Sequence, residues 1–107
     1  MPAIQVPGKL KQYGVRGIFV GGCVERGDGS SFRRKGHAHG DPGYELRWTG
    51  WICIRSAKRL WTPSGKPSQL LWHETAHIYR RSWTQKQCTQ WANKMVRLQR
   101  DGGDDRT

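Results

Sequence analysis

The fold of this chain follows from one stretch of its sequence, Leu70-Leu71-Trp72-His73-Glu74-Thr75-Ala76-His77-Ile78. Leu71, Thr75 and Ile78 recur at the spacing of one face of an α-helix, so they are expected to pack on a sheet. The proline- and glycine-rich segment before this stretch places the helix start nearby, with Ser64 or Ser68 as its N-cap. The stretch therefore predicts a helix that carries its two histidines on a face beside the core.

Two histidines four residues apart, His73 and His77, project side by side from such a helix, with Glu74 between them in sequence. Imidazoles at this spacing can bind one Zn²⁺ at about 2.0–2.1 Å, and the intervening glutamate then lies towards a water on the metal. Because zinc makes bound water acidic, a neighbouring carboxylate can act as a general base. The H-E-x-x-H pattern thus predicts a hydrolytic zinc site with Glu74 as its base. The alternative is an ordinary amphipathic helix on which these three residues have no joint role.

Segments rich in β-forming residues precede this helix. Residues 15–20 predict a first strand, and residues 44–48 and 51–55 predict two more, joined as a hairpin around Thr49-Gly50. A second helix with one apolar side is predicted from Thr84 to about Arg100. We therefore expect an α+β fold, in which a small, mainly antiparallel sheet packs on the histidine-bearing helix and a C-terminal helix completes the domain.

The length of 107 residues allows a single domain, since two would each be too small to bury a core. Residues 1–10 predict an extended N-terminal arm, residues 11–100 the domain, and residues 101–107 a disordered acidic tail. No apolar run approaches the roughly 20 residues of a membrane span, and the chain start lacks the layout of a signal peptide. We therefore expect a cytoplasmic, intracellular protein with no membrane partner.

The charge of the chain is strongly positive. Nineteen Lys and Arg against eight Asp and Glu give a formal net charge of +11, which favours polyanionic partners such as nucleic acid. Arg33, Arg34 and Lys35 lie in a glycine-rich segment that predicts an exposed loop able to contact phosphates. The alternative is a solvated basic surface that only keeps the protein in solution.

On these residues the chain resembles a known family. The segment from residues 51–55 through the H-E-x-x-H motif is similar to the core of small zincin metallopeptidases, especially the SprT-like group and its abbreviated phage-type relatives. The resemblance covers residues 44–98 and is specific at the five motif residues. It implies a minimal zincin-like domain over residues 11–100, Zn²⁺ as cofactor, and hydrolysis of peptide bonds in a protein or peptide substrate.

The family takes its third zinc ligand from the helix after the motif, usually a histidine four residues before a tryptophan. Aligning that tryptophan on Trp91 places Gln87 at the ligand position. A glutamine carbonyl is a neutral and weaker zinc donor than imidazole. Cys88, or His37 or His39 upstream, are the alternative third ligands, and a site that binds metal poorly is the remaining alternative.

The resemblance also implies where a peptide substrate would bind. In zincins the edge strand beside the cleft pairs with extended substrate, and residues 51–55 are our candidate for it, with Trp51 and Cys53 as contacts. Trp72 and Tyr79 lie beside the motif and are expected to border the cleft, the alternative being plain helix packing.

The alternative function comes from a different class: a basic nucleic-acid-binding accessory protein, or a catalytically inactive zincin descendant. The two classes can be combined, because the SprT-like resemblance implies proteolysis of proteins that are located on DNA.

Overall fold

A computed structural model describes residues 3–21, 36–38 and 49–100 of the chain. These residues form four strands and three helices, together with one 3₁₀ turn at Ala57–Arg59. The strands are β1 (Ala3–Ile4), β2 (Gly17–Val20), β3 (Gly36–Ala38) and β4 (Trp51–Ile54), and the helices are α1 (Gly8–Lys11), α2 (Gln69–Tyr79) and α3 (Gln85–Arg100). The predicted α+β class is confirmed.

The strands form one mixed sheet in the order β1-β2-β4-β3. β1 pairs antiparallel with β2, β2 pairs parallel with β4, and β4 pairs antiparallel with β3. Two of the three strand pairings are antiparallel, as expected, but the central pairing of β2 with β4 is parallel, so the sheet is mixed. β4 has a neighbour on both sides, so β3 is the outermost strand on its side of the sheet among the described residues. This order matters for the site, since α2 contacts both β3 and β4.

Helix α2 begins at the serine that the sequence offered as one of two caps. The Ser68 side chain accepts a hydrogen bond from the backbone NH of Leu71 at 3.2 Å and donates one to the Arg59 carbonyl at 2.5 Å. Leu71 and Thr75 are fully buried, as predicted, and Leu71 belongs to the core cluster that includes Ile52. Because Leu71 and Thr75 face the core, His73 and His77 lie on the neighbouring face of α2.

Helix α3 begins with a reciprocal cap. The Thr84 hydroxyl accepts a hydrogen bond from the backbone NH of Gln87 at 3.2 Å, and the Gln87 side-chain oxygen accepts one from the backbone NH of Thr84 at 2.8 Å. This T-x-x-Q arrangement is a capping box, and it satisfies two backbone donors at the helix start. The predicted second helix, from Thr84 to Arg100, is confirmed with its first residue at Gln85.

A buried amide joins the far end of α3 to the start of α2. The Trp72 indole NH donates to the Gln99 side-chain oxygen at 3.0 Å, and the Gln99 amide donates to the Pro67 carbonyl at 3.0 Å. Trp72 and Gln99 are both buried. These contacts hold the two helices at a fixed relative position, and the residues between them form the candidate site.

The N-terminal segment differs from the expected extended arm. Ala3 and Ile4 pair with Phe19 and Ile18 in β2, and α1 follows directly. The side chains of Val6 and Leu10 are buried in the core. Pro7 precedes the first residue of α1 and so separates two short elements, and the apolar residues of this segment help to fill a small core.

We expect Leu10→Ala to lower the free energy of unfolding by about 2–5 kcal/mol, because it removes a fully buried side chain and leaves a cavity. Chemical denaturation followed by tryptophan fluorescence measures the change. Leu98→Ala is the matched control, since the Leu98 side chain is 41% exposed and should lose little. An equal, small effect of both substitutions would show that the segment is an arm after all.

Some expectations fall on other parts of the chain. The predicted strand at residues 44–48, the acidic tail at 101–107, and the basic loop residues Arg33, Arg34 and Lys35 lie outside the described residues. Within the described ranges, none of the helices combines the length and the apolar character required to cross a bilayer.

Candidate metal centre

Three side-chain donors meet between α2 and α3. The Nε2 atoms of His73 and His77 lie 3.2 Å apart, and the side-chain oxygen of Gln85 lies 2.7 Å from the first and 3.1 Å from the second. The two histidines are contributed by successive turns of α2, and Gln85 is the first residue of α3. We call this set the donor triangle.

The outer nitrogens of both imidazoles contact α3. The Thr89 hydroxyl lies 3.1 Å from His73 Nδ1, and the Cys88 sulfur lies 3.5 Å from His77 Nδ1. Metal-binding histidines commonly donate the NH of their outer nitrogen to a neighbouring group, which orients the ring and leaves Nε2 with its lone pair. Thr89 and Cys88 occupy the positions of such partners.

The donor triangle has the dimensions of a small cation site. Three ligands of a tetrahedral zinc ion with bonds of about 2.0–2.1 Å lie about 3.3 Å from one another. The 3.2 Å between the two imidazole nitrogens is close to this value, and the distances of 2.7 and 3.1 Å to Gln85 require its amide to move outward by about 0.2–0.6 Å. One tetrahedral position is then left for water.

The electrostatics of the donor triangle also favour a cation. When each Nδ1 carries the proton and donates it to Thr89 or Cys88, two imidazole lone pairs and a carbonyl oxygen are directed into one small space. These partial negative charges repel one another unless a positive charge lies between them. The residues present therefore fit Zn²⁺, with the amide as the weakest of the three donors.

Burial lowers the pKa of His73 below its ordinary value; the hydrogen bond with Gln85 raises it, and the neighbouring His77 lowers it. The net shift is downward, so the imidazole of His73 is neutral over a wider pH range than usual. The neutral ring is the form that binds a metal ion.

Cys88, one of the alternative third ligands, lies behind His77 rather than in the donor triangle, because its sulfur contacts Nδ1. Burial raises the pKa of its thiol, and the Glu74 carboxylate raises it further. A thiol is a poor zinc ligand compared with a thiolate. The structure therefore favours Cys88 as a partner that orients His77.

Gln87, placed at the third-ligand position by the alignment on Trp91, is occupied elsewhere. Its side-chain oxygen accepts the Thr84 NH in the capping box at 2.8 Å. Gln85, two residues earlier, is the glutamine that reaches both histidines. His37 lies in β3 opposite Cys53, with its side chain outside the described part, and His39 lies outside it entirely.

Gln85 and Thr89 were not among the site residues predicted from the sequence. Both belong to the side of α3 that faces α2, together with the buried Cys88 and Ala92, and the spacing of these four residues is that of one helix face. The periodicity of α3 therefore indicates this face of the helix, whereas the family pattern indicates the position four residues before Trp91. Among the residues that the structure describes, no group of three His, Cys, Asp or Glu side chains converges, and the third atom of the donor triangle is the amide oxygen of Gln85.

Glu74, the predicted general base, is buried with 6% of its surface exposed. It follows His73 directly on α2 and precedes His77 by three residues, which places its Cα beside the histidine face of the helix. Its carboxylate acts electrostatically on the Cys88 thiol, which contacts His77. Glu74 therefore lies in the same interior region as the outer side of the His77 ring.

The expected substrate contacts Trp51 and Cys53 lie on the other face of the sheet. They pack with Phe19 in a small cluster of their own, whereas Ile52 and Ile54 pack with α2. The Trp51 ring stacks on Phe19 at 4.4 Å between centroids. Because side chains alternate between the two faces of a strand, neither residue can border the histidines.

The expected cleft residues Trp72 and Tyr79 both take part in packing. Trp72 has no exposed surface and bonds to Gln99. Tyr79 is half-buried and lies with its ring centroid 4.9 Å from that of Tyr13 and 5.7 Å from that of Trp91. Trp72 therefore has the packing role that was the alternative to a cleft residue. Tyr79 packs as well but retains a partly exposed surface at the end of α2.

The candidate for substrate pairing also changes. β4, formed by Trp51–Ile54, is an internal strand whose backbone groups bond to β2 and β3. An internal strand has no free edge for a peptide. β3, with Gly36–Ala38, is the outermost strand that the structure describes next to it, and it contacts α2.

No family model, curated protein or solved structure matches this chain.

Proposed function

We propose that this protein is a zinc-dependent hydrolase of peptide bonds. The observation that carries the proposal is the donor triangle, in which His73 Nε2, His77 Nε2 and the Gln85 oxygen lie within 3.2 Å of one another. Glu74 follows the first histidine on the same helix and supplies the one carboxylate that the motif requires.

Different residues of the chain would have different roles in such a reaction. His73, His77 and Gln85 would hold the ion, while Thr89 and Cys88 would orient the two rings. A bound Zn²⁺ supplies Lewis acidity, which activates a water and polarises the substrate carbonyl. In this reaction Glu74 would be the base that takes the proton of that water and returns it to the leaving amine, which requires its carboxylate to turn from the region beside Cys88 towards the donor triangle.

A peptide is the substrate class that fits the surroundings. Within the described part of the sheet, β3 is the outer strand beside β4, and it contacts α2, the helix that carries the histidines. An extended peptide can add to such an edge through main-chain hydrogen bonds, which holds a scissile bond near the helix without requiring a particular side chain. β3 therefore replaces residues 51–55 as our candidate for substrate pairing.

Zinc binding by the matched variants Gln85→Ala and Gln87→Ala tests the proposal. Both glutamines are exposed residues in the first turn of α3, and they differ in what their side chains contact. We expect wild type to bind one Zn²⁺ per chain. Gln85→Ala should bind it at least about tenfold more weakly, since it loses a donor, and Gln87→Ala should bind it with unchanged affinity.

Competition with a chromophoric chelator measures these affinities, and metal analysis after dialysis gives the stoichiometry. Gln87→Ala should instead lower the free energy of unfolding by about 0.3–1.5 kcal/mol through loss of the cap. Wild-type protein that retains no zinc would overturn the proposal. Weakening by Gln87→Ala rather than Gln85→Ala would return the third ligand to the position given by the family pattern.

A further inference from the structure

A second functional surface lies on α3, on the side away from the donor triangle. The exposed residues of this side are polar amides and cations: Lys86, Gln90, Asn93, Lys94, Arg97 and Arg100. At 100° per residue they fall within an arc of about 120° on the helix. We call this set the α3 stripe, and we propose that it binds double-stranded DNA.

The charge of the α3 stripe is not balanced within the described chain. Glu74 is the single Asp or Glu among residues 3–21, 36–38 and 49–100, and its side chain on α2 is buried. Exposed helices usually pair Glu with Lys three or four residues away, but α3 has no acidic residue at all. Among the described residues, no exposed carboxylate offsets the positive charge of the stripe, which can therefore attract an anionic partner.

Helix stability does not account for this arrangement. The first turn of α3 has no acidic residue and carries Lys86, although the positive end of the helix dipole favours anions there. A cation at this position opposes helix formation, whereas Arg97 and Arg100 in the last turn favour it. The stripe is cationic along its whole length, which fits an external polyanion better than it fits the needs of the helix.

The shape and composition of the stripe favour DNA over other polyanions. It is about 21 Å long at 1.5 Å per residue, and the major groove of B-form DNA admits an α-helix whereas the deep, narrow groove of an RNA duplex does not. Gln90 and Asn93 lie between the cations, where amides can contact base edges while Lys and Arg contact phosphates.

An anionic membrane fits the stripe less well. A helix that lies in a membrane surface inserts a row of apolar side chains, and those of α3 pack on the core except for Leu98, which is 41% exposed. Cys88 and Ala92 are fully buried, and Trp91, Met95 and Val96 pack against the core cluster. The stripe itself holds no apolar residue, so it offers charge without insertion.

The experiment compares two variants, and each of them lacks four exposed cationic side chains. The stripe variant carries Lys86→Gln, Lys94→Gln, Arg97→Gln and Arg100→Gln. The control variant carries Lys11→Gln, Lys58→Gln, Arg59→Gln and Arg81→Gln, which are exposed and lie outside α3. Fluorescence anisotropy with a labelled 20-base-pair DNA duplex is measured between 50 and 200 mM salt, with circular dichroism and thermal unfolding as tests of folding.

Wild type should bind the duplex with an affinity that falls steeply with salt. The stripe variant should bind at least about a hundredfold more weakly at 100 mM salt, and the slope of log K against log salt should decrease by about 3–4, since each lost phosphate contact removes about 0.9. The control variant should stay within about threefold of wild type. Arg97→Glu alone, at an exposed position, gives the same comparison if the fourfold variant unfolds.

Three results would overturn the proposal. The first is no binding of the duplex by wild type. The second is equal weakening in the stripe and control variants, which would show a response to total charge. The third is tighter binding to an RNA duplex, or to vesicles containing phosphatidylserine, than to DNA. None of these measurements depends on a metal ion, so they stand apart from the test of hydrolysis.

Discussion

Glu74→Gln should lower the rate of peptide hydrolysis by about 10²–10⁴-fold while leaving one zinc ion bound per chain. The substitution keeps the size of a side chain that is only 6% exposed, and it removes the basic oxygen without touching a donor of the triangle. Turnover of a quenched fluorescent casein measures the rate, and metal analysis of the same sample measures zinc. Loss of activity with retained metal is the signature of a base rather than a ligand.

Two outcomes would contradict this role for Glu74. Undiminished hydrolysis by Glu74→Gln would remove Glu74 from the reaction. Loss of zinc together with activity would make Glu74 a residue that supports the site rather than one that moves a proton. Gln90→Glu, a substitution at an exposed position of α3, is a control for the effect of carboxylate number on the assay.

His73→Ala should abolish zinc binding at micromolar concentrations, and with it any hydrolysis. It removes one of two imidazoles from the donor triangle and leaves the weak amide of Gln85 with a single strong donor. Losing an orienting partner alone typically weakens binding 10–100-fold, so the loss of a ligand should exceed about a hundredfold. Chelator competition measures the affinity.

The control for His73→Ala is Thr89→Val, which removes the hydroxyl that contacts His73 Nδ1 and keeps the ring. Its affinity should lie between those of wild type and His73→Ala, in the 10–100-fold range. The proposed centre would be refuted by a His73→Ala protein that still binds one zinc ion with wild-type affinity, because the metal would then lie elsewhere.

The sequence was informative where a local pattern decides the structure. Ser68 before an amphipathic run predicts the start of α2, and the four-residue spacing of His73 and His77 predicts that their rings meet on one helix face. Thr84 likewise predicts the start of α3. Each of these features depends on residues within one or two helical turns, which periodicity and capping chemistry describe directly.

Other features depend on contacts between segments that are far apart in the sequence, and the sequence did not predict these features. The order of strands makes β4 internal, so its residues Trp51 and Cys53 lie away from the site, and nothing in their own pattern indicates which neighbours they acquire. Val6 and Leu10 are buried because a small core needs them, not because their segment has a strong local preference. The choice of Gln85 over Gln87 depends on how α3 packs against α2.

The three donors lie close together along the chain, whereas the sheet joins segments that are far apart. His73, His77 and Gln85 belong to two consecutive helices, but Gly17 must find Trp51 before the parallel pair can form. Closing that long loop is the costly step in refolding, and assembly of a helical hairpin is comparatively fast. On the proposed function, the α2–α3 hairpin can bind zinc before the sheet forms, so added metal should favour a compact intermediate ahead of the native sheet.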